Sequence, residues 1–128
     1  MADPKLSFPV EEIPDADSLF MRAHRSLLRD GAIVPGVFRA HGGGMSVDWD
    51  KYSSPLDTRM RARKPLDNAV LALIAGEIRS KAGLAVTHAP EPENRAHSDV
   101  IMPENEEDLT EARIKLGRIA RTVIPLEV

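Results

Sequence analysis

The chain has no cysteine among its 128 residues, which excludes disulfides, thiolate metal ligands and a cysteine nucleophile. Aromatic residues are scarce: three Phe, one Tyr and one Trp. The core is therefore expected to rest on Leu, Ile, Val, Ala and Met, where losing one buried aliphatic side chain costs roughly 2–5 kcal/mol. The longest apolar run, residues 69–75, is far too short to cross a bilayer, so no membrane partner is expected. The opening Met1-Ala2-Asp3-Pro4-Lys5 lacks the features of a secretory signal, which together with the missing cysteines predicts a cytoplasmic protein. Positive charge is not in excess either. A net charge of −3 argues against nucleic acid as a partner.

What is present suits one modest core: 42% apolar and 29% charged residues in a length typical of a single domain. Residues 1–17 hold three prolines and five acids without a sustained period, and read as an extended proline-rich arm. Residues 18–128 read as a single α+β domain, a mixed β-sheet covered by a C-terminal amphipathic helix. A strand is expected from Leu19 to His24, followed by a helical turn over 26–29. Extended pieces at 33–34 and 37–39 flank a Pro35-Gly36 turn. Met45-Ser46-Val47-Asp48-Trp49 alternates in the period-two manner of a half-buried strand, with Ser46 and Asp48 on the polar side.

Ser54, Pro55 and Asp57 mark a helix start, with the helix expected to run to about Arg63. For 69–88 a strand over 69–75, a short helix over 76–81 and a second strand over 84–88 compete with one long helix. The first is preferred, because Gly76 costs a helix about 1 kcal/mol relative to Ala. Asp108 and Glu111 have capping-box spacing, which predicts a helix over 109–122 with an extended tail behind it.

Residues 90–99 gather unusual chemistry between two apolar runs: Glu91, Glu93, Asn94, Arg95, His97, Ser98 and Asp99, stiffened by Pro90 and Pro92. With His88 just before it, the segment is read as a rigid crossing that brings His88 and His97 to one mouth, Asn94 closing an Asx-turn. His24, His41, His88 and His97 are too scattered for a local zinc signature, so no metal or other cofactor is expected. His97-Ser98-Asp99 holds the residue types of a triad, but adjacent strand side chains point to opposite faces. Ser46, Ser53, Ser54 and Ser98 lie in no nucleophile elbow. His41-Gly42-Gly43-Gly44 reads as a hairpin connection rather than an oxyanion or phosphate loop. The run from Arg59 to Lys64 is basic, with Arg59, Arg61, Arg63 and Lys64 the candidates for a phosphate-holding groove.

Arg22 and His24 on an early strand, Ser46 on a middle strand and a polar residue on a late strand resemble the three-strand plan of ADP-ribosyltransferase-like folds. The resemblance implies that Arg22 or His24 grips a nucleotide cofactor and that Ser46 supports its ribose. The family's Glu has no counterpart within 96–100, where His97, Ser98 and Asp99 stand. The chain also resembles a family of small bacterial proteins without assigned activity, through Leu19-x-x-Arg22-x-His24, Ser46-Val47-Asp48 and Asn94-x-Ala96-His97.

The expected function is a non-catalytic binding or accessory protein of a bacterial system, with a protein partner meeting a polar surface of Arg22, His24, His88, Asn94 and His97. The alternative is a small enzyme acting on a nucleotide-like substrate, with Arg22, His24, Ser46 and His97 as catalytic candidates. Convergence of Arg22 or His24 with Ser46 and His97 in one concavity is the feature that favours the enzyme.

Overall fold

The computed structural model describes residues 8–30 and 32–126. Among these, six strands form one sheet: β1 (Ser18–His24), β2 (Gly44–Trp49), β3 (Asn68–Ile74), β4 (Val86–His88), β5 (His97–Ile101) and β6 (Arg121–Ile124). Their order is β4-β5-β2-β1-β3-β6. Three helices accompany them: α1 (Pro55–Met60), α2 (Ala75–Ser80) and α3 (Glu106–Ile119). The class is α+β, but the sheet is not mixed, because every pairing is antiparallel. The reason lies in where the three helical crossovers land. α1 joins β2 to β3, α2 joins β3 to β4 and α3 joins β5 to β6; the two strands of each pair run the same way, yet at least one other strand lies between them. Parallel neighbours never form.

Strand alternation divides the sheet into two unlike faces. One carries Leu19, Met21, Met45, Val47, Trp49, Leu71, Leu73, Val86 and Val100 into the main core. Ile78 of α2, Ala112 and Leu116 of α3, and Val37 and Phe38 cover it. The other face carries Phe20, Val70 and Ala72, a small second cluster packed by Val123 and Ile124, and beside it the polar residues of β1, β2 and β5. α1 lies over this second face, where Arg22 Nη1 donates to the Thr58 carbonyl at 3.0 Å.

Local signals set most boundaries. Ser54 caps α1 through a reciprocal pair of bonds with Asp57, and Pro55 takes the first turn. The helix stops at Met60 rather than Arg63 and gives way to a 3-10 turn over Pro65–Asp67. Buried Arg59 draws the chain back there, its Nε donating to the carbonyls of Pro65 and Asn68. The expected Pro35-Gly36 turn forms as a 3-10 turn over Pro35–Val37, which takes Val37 out of the extended piece expected at 37–39 and buries it. α3 starts earlier than the Asp108 spacing implied. Asn105 caps it, accepting from the Asp108 N–H at 2.9 Å, and Asn is as strong a cap as Asp. It ends at Ile119 because Arg121–Ile124 pairs with β3 as the edge strand β6.

The described part of the N-terminal arm, residues 8–17, packs onto the domain; residues 1–7 lie outside the described residues. Ile13 enters the main core, Asp17 Oδ2 accepts from the Trp49 indole at 2.9 Å, and the Asp15 carbonyl accepts from the Gly76 N–H at 2.8 Å. Gly76 is required by this approach: a Cβ there would lie 2.9 Å from Asp15 Cβ and 3.0 Å from its carbonyl oxygen. Gly76→Ala is therefore expected to destabilise the fold by about 1–3 kcal/mol in urea denaturation, despite alanine's better helix propensity. A stabilised variant would show that the arm does not seat against α2.

Candidate functional site

A cleft of about 450 Å³ opens on the polar face of the sheet, lined by Arg22 of β1, Ser46 and Asp48 of β2, Thr58 of α1, Asn94 and His97, with Arg39, His41 and Glu91 among its other walls. Strand parity places these groups together. Asp48 pairs with Phe20 on one side and His97 on the other, and Ser46 pairs with Asp99, so all five point to this face.

Asp48 organises the floor. It is 5% exposed, and its carboxylate accepts from three side chains, two on α1 and its C-cap and one on the 90–96 loop. Oδ2 takes the Thr58 hydroxyl and Arg61 Nη1, each at 2.8 Å, and Oδ1 takes Asn94 Nδ2, also at 2.8 Å. Arg61 donates from the same nitrogen to Ser53 Oγ. Asn94 Oδ1 accepts from the Ala96 N–H at 3.1 Å, the expected Asx-turn, which fixes which way the amide faces. A buried carboxylate with charge-assisted donors from α1 and from the 90–96 loop anchors both walls to the sheet.

His97 sits at the rim with both ring nitrogens engaged. Nδ1 lies 2.8 Å from the Ala89 carbonyl, Nε2 lies 3.3 Å from Ser46 Oγ, and Asp99 Oδ1 is 4.0 Å from Nε2. His41 closes a tight hairpin with Gly44, where Gly42 and Gly43 both take positive φ as in a type I′ turn. Among the described residues neither Arg22 nor Arg39 pairs with a carboxylate, whereas Arg61 is matched by Asp48.

Of the residues singled out in the sequence, the structure brings Arg22, Ser46, Asn94 and His97 to one cleft and leaves His24 and His88 outside it. His24 caps the 3-10 turn over Arg25–Leu27 by accepting from the Ser26 N–H. His88 pairs with Ser98, the neighbour of His97, so the two imidazoles take opposite faces rather than one mouth. It is 3% exposed, edge-on to Trp49 and stacked near Tyr52, accepts from the Glu11 N–H at Nδ1 and faces the Arg95 carbonyl at Nε2. The expected basic groove does not form as a unit. Arg59 and Arg61 are committed to internal contacts, and Arg63 and Lys64 remain exposed. Among the described residues no group of three or more His, Asp or Glu is placed to hold a metal.

Sequence reading missed Asp48 as the organiser, and Thr58, Arg39 and Glu91 as wall residues. The available signal for Asp48 was its place on the polar side of an alternating strand, next to Ser46. No helix among the described residues is long and apolar enough to cross a membrane. No family model, curated protein or solved structure matches the chain.

The back of the 90–96 loop is braced by the arm. Arg95 lies over Tyr52 at 4.2 Å and over Phe8 at 5.0 Å from the ring centroids. Glu11 accepts from Lys51 and from the Tyr52 hydroxyl, and these bonds, Lys51 first, hold its carboxyl below its ordinary value of 4.5, while Glu11 raises Lys51. A carboxylate lowered in the folded state stabilises above its ordinary value and loses that contribution as pH falls through the lowered one. Acidification below pH 4.5 is thus expected to loosen the arm, read as faster protease cleavage within residues 8–17. In Glu11→Gln the acid-induced change should be smaller, and an unchanged response would remove Glu11 from the brace.

Proposed function

We propose that the cleft binds a small polar ligand carrying one anionic group. The observation that supports this reading is the convergence of Arg22, Ser46, Asn94 and His97 in one concavity where, among the described residues, Arg22 has only a neutral carbonyl as partner. A guanidinium without a carboxylate, facing hydrogen-bonding groups of both polarities, suits a phosphate or carboxylate attached to a polar body. Asp48 does not oppose that charge, because Arg61 already matches it. The nucleotide-enzyme alternative draws support from Arg22 and Ser46 sharing the cleft. It is weakened by the absence of a Glu on β5, although Glu91 enters from the preceding loop.

Thermal unfolding with a panel of nucleotides, inorganic phosphate and small carboxylates tests the reading. Stabilisation should grow with ligand concentration, reaching about 2.7 kcal/mol at a hundred times Kd. Arg22→Ala should lose that gain, while the exposed Arg63→Ala keeps it. Absence of any ligand-dependent shift, or equal loss in both variants, contradicts the proposal.

A second reading, an accessory protein of a bacterial cytoplasmic system, draws on an exposed apolar strip. Leu56, Met60 and Leu66 are 58%, 61% and 62% exposed beside Arg63 and Lys64, which suits an acidic amphipathic helix of a partner protein. Such a peptide should bind in a salt-sensitive manner and lose affinity to a Leu56→Ser/Met60→Ser variant. Equal binding to both proteins removes this reading.

A further inference from the structure

Ligand binding leaves one contact in the cleft without a purpose, that between Ser46 and His97. The Ala89 carbonyl can only accept, so His97 Nδ1, 2.8 Å away, carries the ring proton. In the neutral ring Nε2 then holds a lone pair, 3.3 Å from Ser46 Oγ. A hydroxyl beside a base that a third group orients is the arrangement of an activated nucleophile, and such contacts are often long before substrate binds. The sheet itself sets the pair. Asp48 pairs with His97 and Ser46 with Asp99, so Ser46 and His97 meet diagonally across β2 and β5, on strands rather than on loops. Ser46 is exposed to the cleft and His97 half-buried at its rim.

We propose that Ser46 is a nucleophile activated by His97 and that it cleaves a small carboxylic ester whose anionic end rests on Arg22; this rests on the reading of the cleft as a ligand site. A carbonyl fits the position better than a phosphoryl group. Asp99, the cross-strand partner of Ser46, places Oδ1 4.0 Å from His97 Nε2, so a phosphate at Ser46 would face that carboxylate, whereas a neutral carbonyl does not. The same carboxylate favours the imidazolium that forms during attack. Arg22 projects from β1, on the far side of β2 from His97, which puts the charged end of the substrate away from Asp99.

The chemistry balances with water as the only co-reactant. Ser46 Oγ forms a bond to the acyl carbon as its proton passes to His97 Nε2 and the carbonyl π pair moves onto oxygen. Collapse of the adduct breaks the bond to the alkoxy oxygen, which leaves as the alcohol with the proton from Nε2. Water then gives a proton to Nε2 and attacks the acyl-serine. The Ser46–acyl bond breaks, Oγ regains a proton from Nε2, and the free acid departs.

A fluorophosphonate probe with mass-spectrometric mapping tests the assignment, alongside p-nitrophenyl acetate turnover. The full chain should label at Ser46 and release a burst of nitrophenol equal to the protein concentration. Ser46→Ala should abolish both, and His97→Gln should slow both at least about a hundredfold. Ser98→Ala, altered on the opposite face, should label as the parent does. Circular dichroism of each variant separates loss of chemistry from loss of fold, and His97→Asn serves if His97→Gln fails to fold. No labelling, labelling at another residue, or labelling indifferent to His97 overturns the nucleophile. Turnover of p-nitrophenyl phosphate in place of the acetate overturns the carbonyl assignment. Thermal shifts on the same samples keep the two proposals apart. Anionic ligands stabilising a protein that refuses the probe sink the nucleophile and leave the binding site standing; no shift and no label sink both.

Discussion

The Asp48 carboxylate, buried near the middle of the polar face, accepts hydrogen bonds from Thr58 and Arg61, on α1 and its C-cap, and from Asn94 of the 90–96 loop. Removing a carboxylate from water is costly unless donors replace its hydration. Here three donors do so, and they draw two pieces of chain to the sheet: α1 and its C-cap through Thr58 and Arg61, and the 90–96 loop through Asn94. Without that carboxylate the walls of the cleft would have no common attachment. Arg22 depends on it at one remove, since its own anchor is the carbonyl of Thr58.

The two faces of the sheet divide the work. The apolar face is filled by α2, α3 and the Val37–Phe38 segment, and supplies the main core. Among the described residues the polar face has only the short helix α1 and a small apolar cluster around Phe20, and part of it is open. That opening lies where β1, β2 and β5 present Arg22, Ser46 and His97. Behind the 90–96 loop, the arm fills the space against Tyr52, His88 and Arg95 with aromatic and ionic contacts. The loop is thus held on its cleft side by Asp48 and on its other side by Glu11 and Phe8.

How much of this the sequence reveals depends on how local the cause is. The β2 alternation, the Ser54-Pro55-Asp57 helix start, and the strand–helix–strand order around Gly76 follow from neighbouring residues, and all can be read directly. The start of α3 shifts because Asn105 and Asp108 are both competent caps and only folding selects between them. Strand parity was sufficient to separate His97 from Ser98, but it decides His88 only once the β4–β5 register is known. Asp48 is the deeper omission. On a strand pattern it is one more outward polar residue; its three partners lie up to 46 positions away and meet only when α1 crosses the sheet. Arg59 and Arg61 were similarly opaque, since a basic run looks solvated until the carbonyls and carboxylate that engage two of its members are in place.

Whether Asp48 holds the 90–96 loop to the sheet is measured by a double-mutant cycle between Asp48→Asn and Asn94→Ala, read by urea denaturation. In Asp48→Asn the amide cannot accept from Thr58, Arg61 and Asn94 at once, and the Ala96 N–H keeps Asn94 from turning its own oxygen inward. A coupling of about 1–3 kcal/mol is expected, the range of residues sharing one hydrogen-bond network. Effects that add to within about 0.5 kcal/mol would contradict it, because the loop that carries Asn94 would then not be held to the sheet by Asp48.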